Sequence, residues 1–579
     1  MTTETDVEPL VPESAYVRRD SFIERDARSR AFALVDEGSG RELLDPFDHL
    51  ESPWLEQQGV VPEADDGVVI VKGTVAGKAT VVIGIEQGFQ GGGIGEVSGA
   101  KIAAALGLAA RDSRAGTPTS AVLLLETGGV RLQEANLGLA AVAEACSGVL
   151  ELRALQPVIA VIAGGLGSFG GMSIVAGLCS TVVMTREARL GLNGPEVIES
   201  EGGIAEFDSG DHALVWSIDG GVQRHALGQA DVLVKDDTDE IVGAVRGAVS
   251  GEAPAAPASR DLARLRAHLT SLDPSSPPTP AELPALFATP VAPGTTEEAP
   301  RPAESASTVE STGRGTAWTT ALADTAPNAV ESTVIEATMA MHGLSAILLT
   351  VVPDAASPYR RARNGEVGLL EGLALAERVT AIVTEDADLE PERKRPIIAV
   401  VDLPSQAYGR LEEMVGIHLH LAAAADAYAT ARTQGHPVVA LVVGTALSGG
   451  FLAHGLQADQ ILALNDPDVE IHAMHKPAAA RITRRTVAEL DELATRIPPL
   501  SYDVRDWATL GLCNGLLEVA DADHPTADDV ATVKEQLRAA VSRARAGDSG
   551  LSGRWSVETS GDNRAATRRV WAAMTAQWQ

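Results

Sequence analysis

Cysteine is scarce. Cys146, Cys179 and Cys513 are the three in 579 residues, and they lie far apart in apolar stretches. No CxxC pair offers a zinc site and no dense disulfide framework is available, so they read as reduced interior residues. Aromatic residues make up 3% of the chain, and 46 basic residues stand against 79 acidic ones, for a formal net charge of −33. That field repels a phosphate backbone, which argues against nucleic-acid binding and leaves any anionic substrate dependent on a local basic patch. No run of about 18 apolar residues free of charge or repeated glycine occurs. The polar start MTTETDVEPLVPESAYVRRD has no apolar core of a leader. The expectation is a soluble, cytoplasmic chain with no membrane attachment. GxSxG is missing, since Ser168 sits in LGSFG and Ser448 in ALSGG, which disfavours a serine hydrolase. GxxxxGK(S/T) is also missing, and GGGIGE (91–96) follows a strand without the spacing of a dinucleotide fold. His472 and His475 have no third ligand nearby in sequence, so no metal is expected.

What is present is a chain, 45% hydrophobic, long enough for more than one core. Residues 252–313 are rich in proline, alanine, serine and threonine and read as a linker. They separate a domain over 21–251 from one over 314–545, with a flexible N-terminus (1–20) and a weakly structured C-terminal tail (546–579). In the first domain GVVIVKGTVAGKATVVIGIE (67–86) turns at Ala76-Gly77 as a hairpin. Buried strands TSAVLLLE (119–126), PVIAVIA (157–163) and TVVM (181–184) then alternate with helical stretches. The second domain repeats the order with PIIAVVDL (396–403), PVVALVVG (437–444) and QILALN (460–465). Such alternation predicts an α/β fold with a parallel sheet in each half and a structural repeat.

Each half also repeats a glycine device. Gly170-Gly171 and Gly449-Gly450 each open a helix after a strand, placing bare N–H groups at the positive end of a helix dipole. One strand earlier lie Thr127-Gly128-Gly129-Val130 and Ser405-Gln406-Ala407-Tyr408-Gly409. If both loops share the carboxyl edge of the sheet, N–H groups from each can converge on one oxygen as an oxyanion hole. The alternative is that these glycines only permit tight turns and close helix packing. The basic clusters Arg360, Arg361, Arg363 and Arg481, Arg484, Arg485 offer either phosphate ligands or solvated helix faces.

Longer strings carry a family resemblance. GEVSGAKIAAAL (95–106), LLLETGGVRLQEANLGLAAVAE (123–144), FGGMSIVAGLCS (169–180) and TREARLGLNGPEVIE (185–199) resemble the β subunit of biotin-independent malonate decarboxylase. ARNGEVGLLEGLALA (362–376), SQAYGRLEEMVGIHL (405–419), ALSGGFLAHGLQAD (446–459), HAMHKPAAARITRRTVAELDEL (472–493) and PPLSYDVRDWATLGL (498–512) resemble its γ subunit. Both halves are more distantly similar to the carboxyltransferases of biotin-dependent carboxylases. The resemblance implies two tandem crotonase/ClpP-like domains forming a carboxyltransferase-like pair, with β and γ fused in one polypeptide. It implies no covalently bound cofactor. The substrate would be a malonyl thioester on the coenzyme A-derived arm of a partner acyl carrier protein, loaded by an α-subunit acyl transferase, within a higher oligomer.

The resemblance further implies that a thioester enolate forms after loss of CO2. Its oxygen would be held by N–H groups of Gly129 or Val130 and of Gly170 or Gly171. Tyr408, Gly449 and Gly450 would orient the departing carboxylate or complete the opposite wall. Gly128, Arg131, Gln133, Glu134, Gln406, Gly409, Arg484 and Arg485 are the expected substrate-binding neighbours. Tyr408, Glu134 and Gln133 are candidates to protonate the enolate, although capping or helix-face roles fit them equally. Two other readings remain open: a carboxyltransferase served by a biotin carrier, although this chain has no MKM biotinylation site, and an inactive scaffold.

Overall fold

The computed structural model describes residues 20–251, 256–288, 313–341, 343–547 and 550–579. The first half builds a seven-stranded sheet ordered β1-β2-β3-β4-β5-β6-β7. Its strands are Arg41–Leu43, Val68–Val75, Lys78–Ile85, Ser120–Leu124, Val158–Ile162, Thr181–Thr185 and Val232–Val234. The first three pair antiparallel, and from β3 onward every pairing is parallel. Ala76 and Gly77 both take positive φ, 50° and 75°, in the two-residue turn that closes Val75 on Lys78. That geometry matches the right-handed twist of the flanking strands.

The second half repeats this plan. Strands β8 (Asn328–Glu331), β9 (Val334–Met341) and β10 (Leu344–Val351) pair antiparallel. Parallel pairings follow through β11 (Ile397–Leu403), β12 (Val438–Leu447), β13 (Gln460–Leu464) and β15 (Gly515–Leu517), while β14 (Ile471–His472) joins β12 at its end. The predicted α/β repeat is therefore present. The glycine caps of the first crossover helices match closely: Gly95 before Glu96–Arg114 has φ −111° and ψ −157°, and Gly368 before Leu369–Glu385 has φ −110° and ψ −153°.

Small residues set the helix spacing. A Cβ on Gly99 would lie 2.2 Å from the Cβ of Ala141, and one on Gly372 would lie 2.8 Å from the carbonyl oxygen of His420. Each glycine thus lets a crossover helix press onto its neighbour, Ala135–Arg153 in one half and Ile417–Thr433 in the other. One continuous apolar core runs through both halves. Among the described residues one segment, Leu132–Arg153, is long and apolar enough to cross a membrane; it is 83% buried within the protein, as the central helix of that core.

Two stretches differ from the expectation. Within the stretch read as a linker, Leu262–Ser271 forms a helix with Leu265 and Leu269 buried, and Arg266 pairs with Glu331 and Glu377 of the second half. The leucines stand at helical spacing inside a sequence whose overall composition reads as unstructured. Residues 289–312, and nearly all of the segment 1–20, lie outside the described residues. The supposed tail is also ordered: helix Ala565–Gln577 packs on Glu96–Arg114, with Val570, Met574 and Trp578 buried at a four-residue interval. Cys146 and Cys179 are buried, and burial pushes the Cys179 thiol up to about 12.

Candidate active site

Both glycine loops of the first half lie at the carboxyl ends of β4 and β5, and they are zipped together. The Thr127 N–H donates to the Gly167 carbonyl at 2.8 Å, and the Phe169 N–H donates to the Thr127 carbonyl at 3.0 Å. At the meeting point Gly129 (φ 108°) and Gly170 (φ 59°) touch backbone to backbone; a Cβ on Gly170 would lie 2.9 Å from the Gly129 Cα. Side chains have no room there, and the positive φ values strain any residue but glycine.

Most N–H groups of these loops already have partners. Gly128 donates to the Gly91 carbonyl (2.9 Å), Gly129 to Thr127 Oγ1 (3.0 Å) and Gly170 to the Leu192 carbonyl (2.9 Å). Ile94 pairs with this loop as a short parallel bridge, receiving Arg131 N–H and giving its own to the Gly129 carbonyl, both at 2.9 Å. Among the described residues, the N–H groups of Val130 and Gly171 meet no acceptor, one from each loop. Gly171 also opens the helix Gly171–Leu178, where an anion is favoured.

The second half has the same bridge. Val367 gives its N–H to the Ser405 carbonyl and receives that of Ala407, each at 3.0 Å, so Gln406 occupies the place that Val130 holds in the first half. Here the parallel ends. The Gln406 side-chain oxygen accepts the Gly449 N–H at 2.8 Å, and its amide donates to Asn193 Oδ1 at 2.8 Å. One of the two glycine donors expected to face substrate in this half is therefore satisfied internally. Gly450 packs against the Ser405 carbonyl, 2.7 Å from where its Cβ would stand.

Tyr408 is buried with its hydroxyl among Ser448, Ser405 and Gln406. Burial pushes the phenol up to about 12, and the nearby charge of Glu201 adds to the rise. Tyr408 therefore keeps its proton at neutral pH. Ser448 holds φ 59°, a strained value for a residue with a side chain, where β12 meets the helix Ser448–Ala453.

Several of the expected substrate contacts are tied into the fold itself. Arg131 is buried and its guanidinium binds Asp66 (2.6 Å) and Glu134 (2.8 Å). Glu134 also accepts from Ser52 Oγ (2.7 Å) and the Glu96 N–H (3.1 Å). Desolvation pushes its carboxyl up to about 7. Both side chains brace the loop from behind, because a buried charge must be paired. The Gln406 side chain is likewise fully engaged. A Cβ on Gly409 would lie 1.9 Å from Glu412 Oε2, so this glycine serves the cap of the helix Arg410–Val415. Gln133 is half-buried, and its carbonyl accepts from Gln58 Nε2 at 2.7 Å. Arg485 reaches Gln58 Oε1 at 3.2 Å, which brings the 476–485 segment beside the Val130 loop; Arg484 is exposed at φ 55°. Arg361 and Arg481 pair with Glu206 and Glu201. His472 stacks on Tyr502 with centroids 3.9 Å apart, and its Nδ1 lies 2.9 Å from the Met474 carbonyl oxygen. Asn193 is a neighbour that sequence reasoning passed over, and Ser448 was weighed there only as a near miss to a serine-hydrolase motif.

Comparison with known proteins fits this geometry. Residues 24–298 match the model for the carboxyl transferase domain, and 362–578 match that for the malonate decarboxylase gamma subunit. The Malonyl-S-ACP:biotin-protein carboxyltransferase MADC of Malonomonas rubra is 42% identical over 226 residues, which cover 37% of this chain and 71% of that protein. The chain belongs to the malonate decarboxylase carboxyltransferase family. MADD of the same organism, also named a Malonyl-S-ACP:biotin-protein carboxyltransferase, is 36% identical over 185 residues, covering 32% of this chain and 63% of that one. A solved Pseudomonas malonate decarboxylase hetero-tetramer in complex with malonate has a chain 57% identical in sequence; the match covers 46% of this chain and 98% of that chain, with a TM-score of 0.46. The resemblance read from the sequence motifs, with both halves of the enzyme family in one polypeptide, therefore holds.

Proposed function

We propose that this chain decarboxylates a malonyl thioester to the acetyl thioester and CO2 without biotin. The observation that carries the reading is the pair of N–H groups on Val130 and Gly171, which have no acceptor and come from loops locked together at Gly129 and Gly170. The bond from the methylene carbon to the carboxylate breaks, and its electron pair moves onto the thioester carbonyl as an enolate. Two preorganised donors stabilise that oxygen more as charge grows on it than in the ground state. Proton return to the carbon completes the acetyl group. Tyr408 is the group we assign to that step, because burial keeps its hydroxyl protonated and Ser448 lies beside it. The substrate arrives on the coenzyme A-derived arm of an acyl carrier protein, charged by a separate acyl transferase. We assign Arg484 and Arg485, on the segment beside the Val130 loop, to the phosphates of that arm.

A second reading has specific support. The relatives from Malonomonas rubra are named as carboxyltransferases to a biotin protein, a reaction that passes through the same enolate. Release of CO2 from malonyl-CoA and from malonyl-carrier, with and without avidin, separates the two. Avidin-insensitive release with acetyl thioester as product supports the decarboxylase. Carboxyl transfer only when a biotin carrier is supplied supports the second reading.

A further inference from the structure

The two halves meet at the site through the segment Leu190-Gly191-Leu192-Asn193-Gly194, which belongs to the first half but is hydrogen-bonded both to its own Gly170 loop and to the Tyr408 loop of the second half. The Leu192 carbonyl takes the Gly170 N–H at 2.9 Å, next to the Gly171 N–H that meets no acceptor. Across the seam the Leu192 and Asn193 N–H groups donate to Glu413 Oε1 at 2.7 and 3.1 Å. The Asn193 side chain, only 2% exposed, uses both ends of its amide on the second half. Its Nδ2 donates to the Ala407 carbonyl at 3.0 Å, and its Oδ1 accepts from Gln406 Nε2 at 2.8 Å. Ala407 and Gln406 immediately precede Tyr408. Gln406 in turn holds the Gly449 N–H.

We propose that Asn193 is a positioning residue that sets the place of Tyr408 relative to the Val130 and Gly171 donors. This inference rests on the reading of the site as one that forms a thioester enolate. The geometry gives its physical reason. The oxygen donors belong to one half and the tyrosine to the other, so their separation depends on how the halves register. Asn193 is a short, buried side chain whose donor and acceptor are both used on the residues next to that tyrosine. A carboxamide fulfils both roles at once; a carboxylate accepts only and an apolar residue does neither. A misplacement of about 1 Å at a reacting centre is enough to cost a large factor in rate.

The test compares four full-length chains: wild type, Asn193→Ala, Tyr408→Phe and the double variant, with Asn193→Asp as a second probe that keeps side-chain size. Each is assayed for kcat and KM with malonyl-carrier protein, and its melting temperature establishes that it is folded. A positioning role predicts that Asn193→Ala and Asn193→Asp lower kcat by about tenfold or more while KM stays within about twofold. In the Tyr408→Phe background Asn193→Ala should cost less than about twofold further, because what it positions is already gone. Equal factors in the two backgrounds, a loss confined to KM, or an unchanged kcat in the folded variants would overturn the inference while leaving the proposed activity standing. If the wild type transfers carboxyl to a biotin carrier rather than releasing CO2, the decarboxylase reading fails and the same comparison is read in that assay. A wild type inactive in both assays would overturn the reading and the inference together.

Discussion

Gln406 Oε1 accepts the Gly449 N–H at 2.8 Å, whereas the matching position of the first half is Val130, whose side chain has no atom that can accept a hydrogen bond. Gly170, the counterpart of Gly449, gives its N–H to the Leu192 carbonyl instead, so both halves satisfy the first glycine of the pair but with different acceptors. Val130 lacks a positive φ and its N–H serves no bond in the fold, so Val130→Pro removes the donor without removing a hydrogen bond, and Val130→Ala controls for the side-chain packing lost with it. The expected outcome is a fall in kcat of about 100-fold or more, with Val130→Ala, which keeps the N–H, within about threefold of wild type. Steady-state kinetics on both variants checks it. Gly171 is a poorer probe, since a Cβ there would lie 2.6 Å from Val142 Cγ1 and 2.9 Å from Leu452 Cδ1 and would disturb the seam between the halves.

The seam also predicts a pH dependence of stability. Burial pushes Glu413 up to about 8, and the charge of Asp219 adds to the rise; Asp219 itself is pushed up to about 6 by burial, which outweighs the opposing pull of Arg224. A carboxyl whose folded pKa is raised binds its proton more tightly in the native state. Its contribution is full below the unfolded value near 4.5 and is lost as pH rises through the folded value. The melting temperature should therefore decline between about pH 5 and about pH 8. Glu413→Gln, which can still accept from Leu192 and Asn193 and can donate toward Asp219, should flatten that decline by an amount on the order of 1 kcal/mol. Thermal melts across this range decide it; parallel wild-type and variant curves would count against the assignment.

Legibility in the sequence followed the distance over which an interaction acts. Strand alternation and the Ala76-Gly77 turn are local, and local pattern was enough to predict the repeat. The loops proposed to form an oxyanion hole were legible as glycine pairs, but which N–H stays open was not. That depends on Thr127 folding back on Gly129 and on Leu192 reaching Gly170, which no spacing rule encodes. Arg131 looked like a ligand because its partner Asp66 lies 65 positions earlier. Asn193 was invisible for the same reason, its partners standing 213 and 214 positions away. In the C-terminal stretch the interval Val570, Met574, Trp578 was a readable helical stripe, masked by the polar residues between.

Arg484 is exposed, and Arg485 leans on Gln58, whose amide holds the Gln133 carbonyl beside the open loop. In a chain of net charge −33 these cations form a local exception that an anionic arm can use. Arg484→Glu and Arg485→Glu should raise KM for malonyl-carrier several-fold with kcat retained. Added salt should raise the wild-type KM more than that of either variant, because exposed charges are screened. Kinetics at two ionic strengths provides the measurement, and an unchanged KM in both variants would remove these arginines from substrate binding.

The C-terminal helix ties the second half to the first through buried polar contacts. Arg564 pairs with Glu144 at 2.9 Å, both side chains 2% exposed. Glu96 beside them accepts from the Thr567 N–H and hydroxyl, each at 2.9 Å, and from Trp54 Nε1 at 2.7 Å. Removing one partner of a buried ion pair leaves an uncompensated charge and typically costs about 3–5 kcal/mol. Arg564→Met should lower the unfolding midpoint by a corresponding amount. The double variant Glu144→Leu/Arg564→Met should recover much of the loss, because the stranded charge is gone. Denaturant unfolding of the three chains gives the answer. A helix that merely rested on the surface would leave the Arg564→Met midpoint unchanged; a fastened one gives a large single-variant loss and a partial rescue.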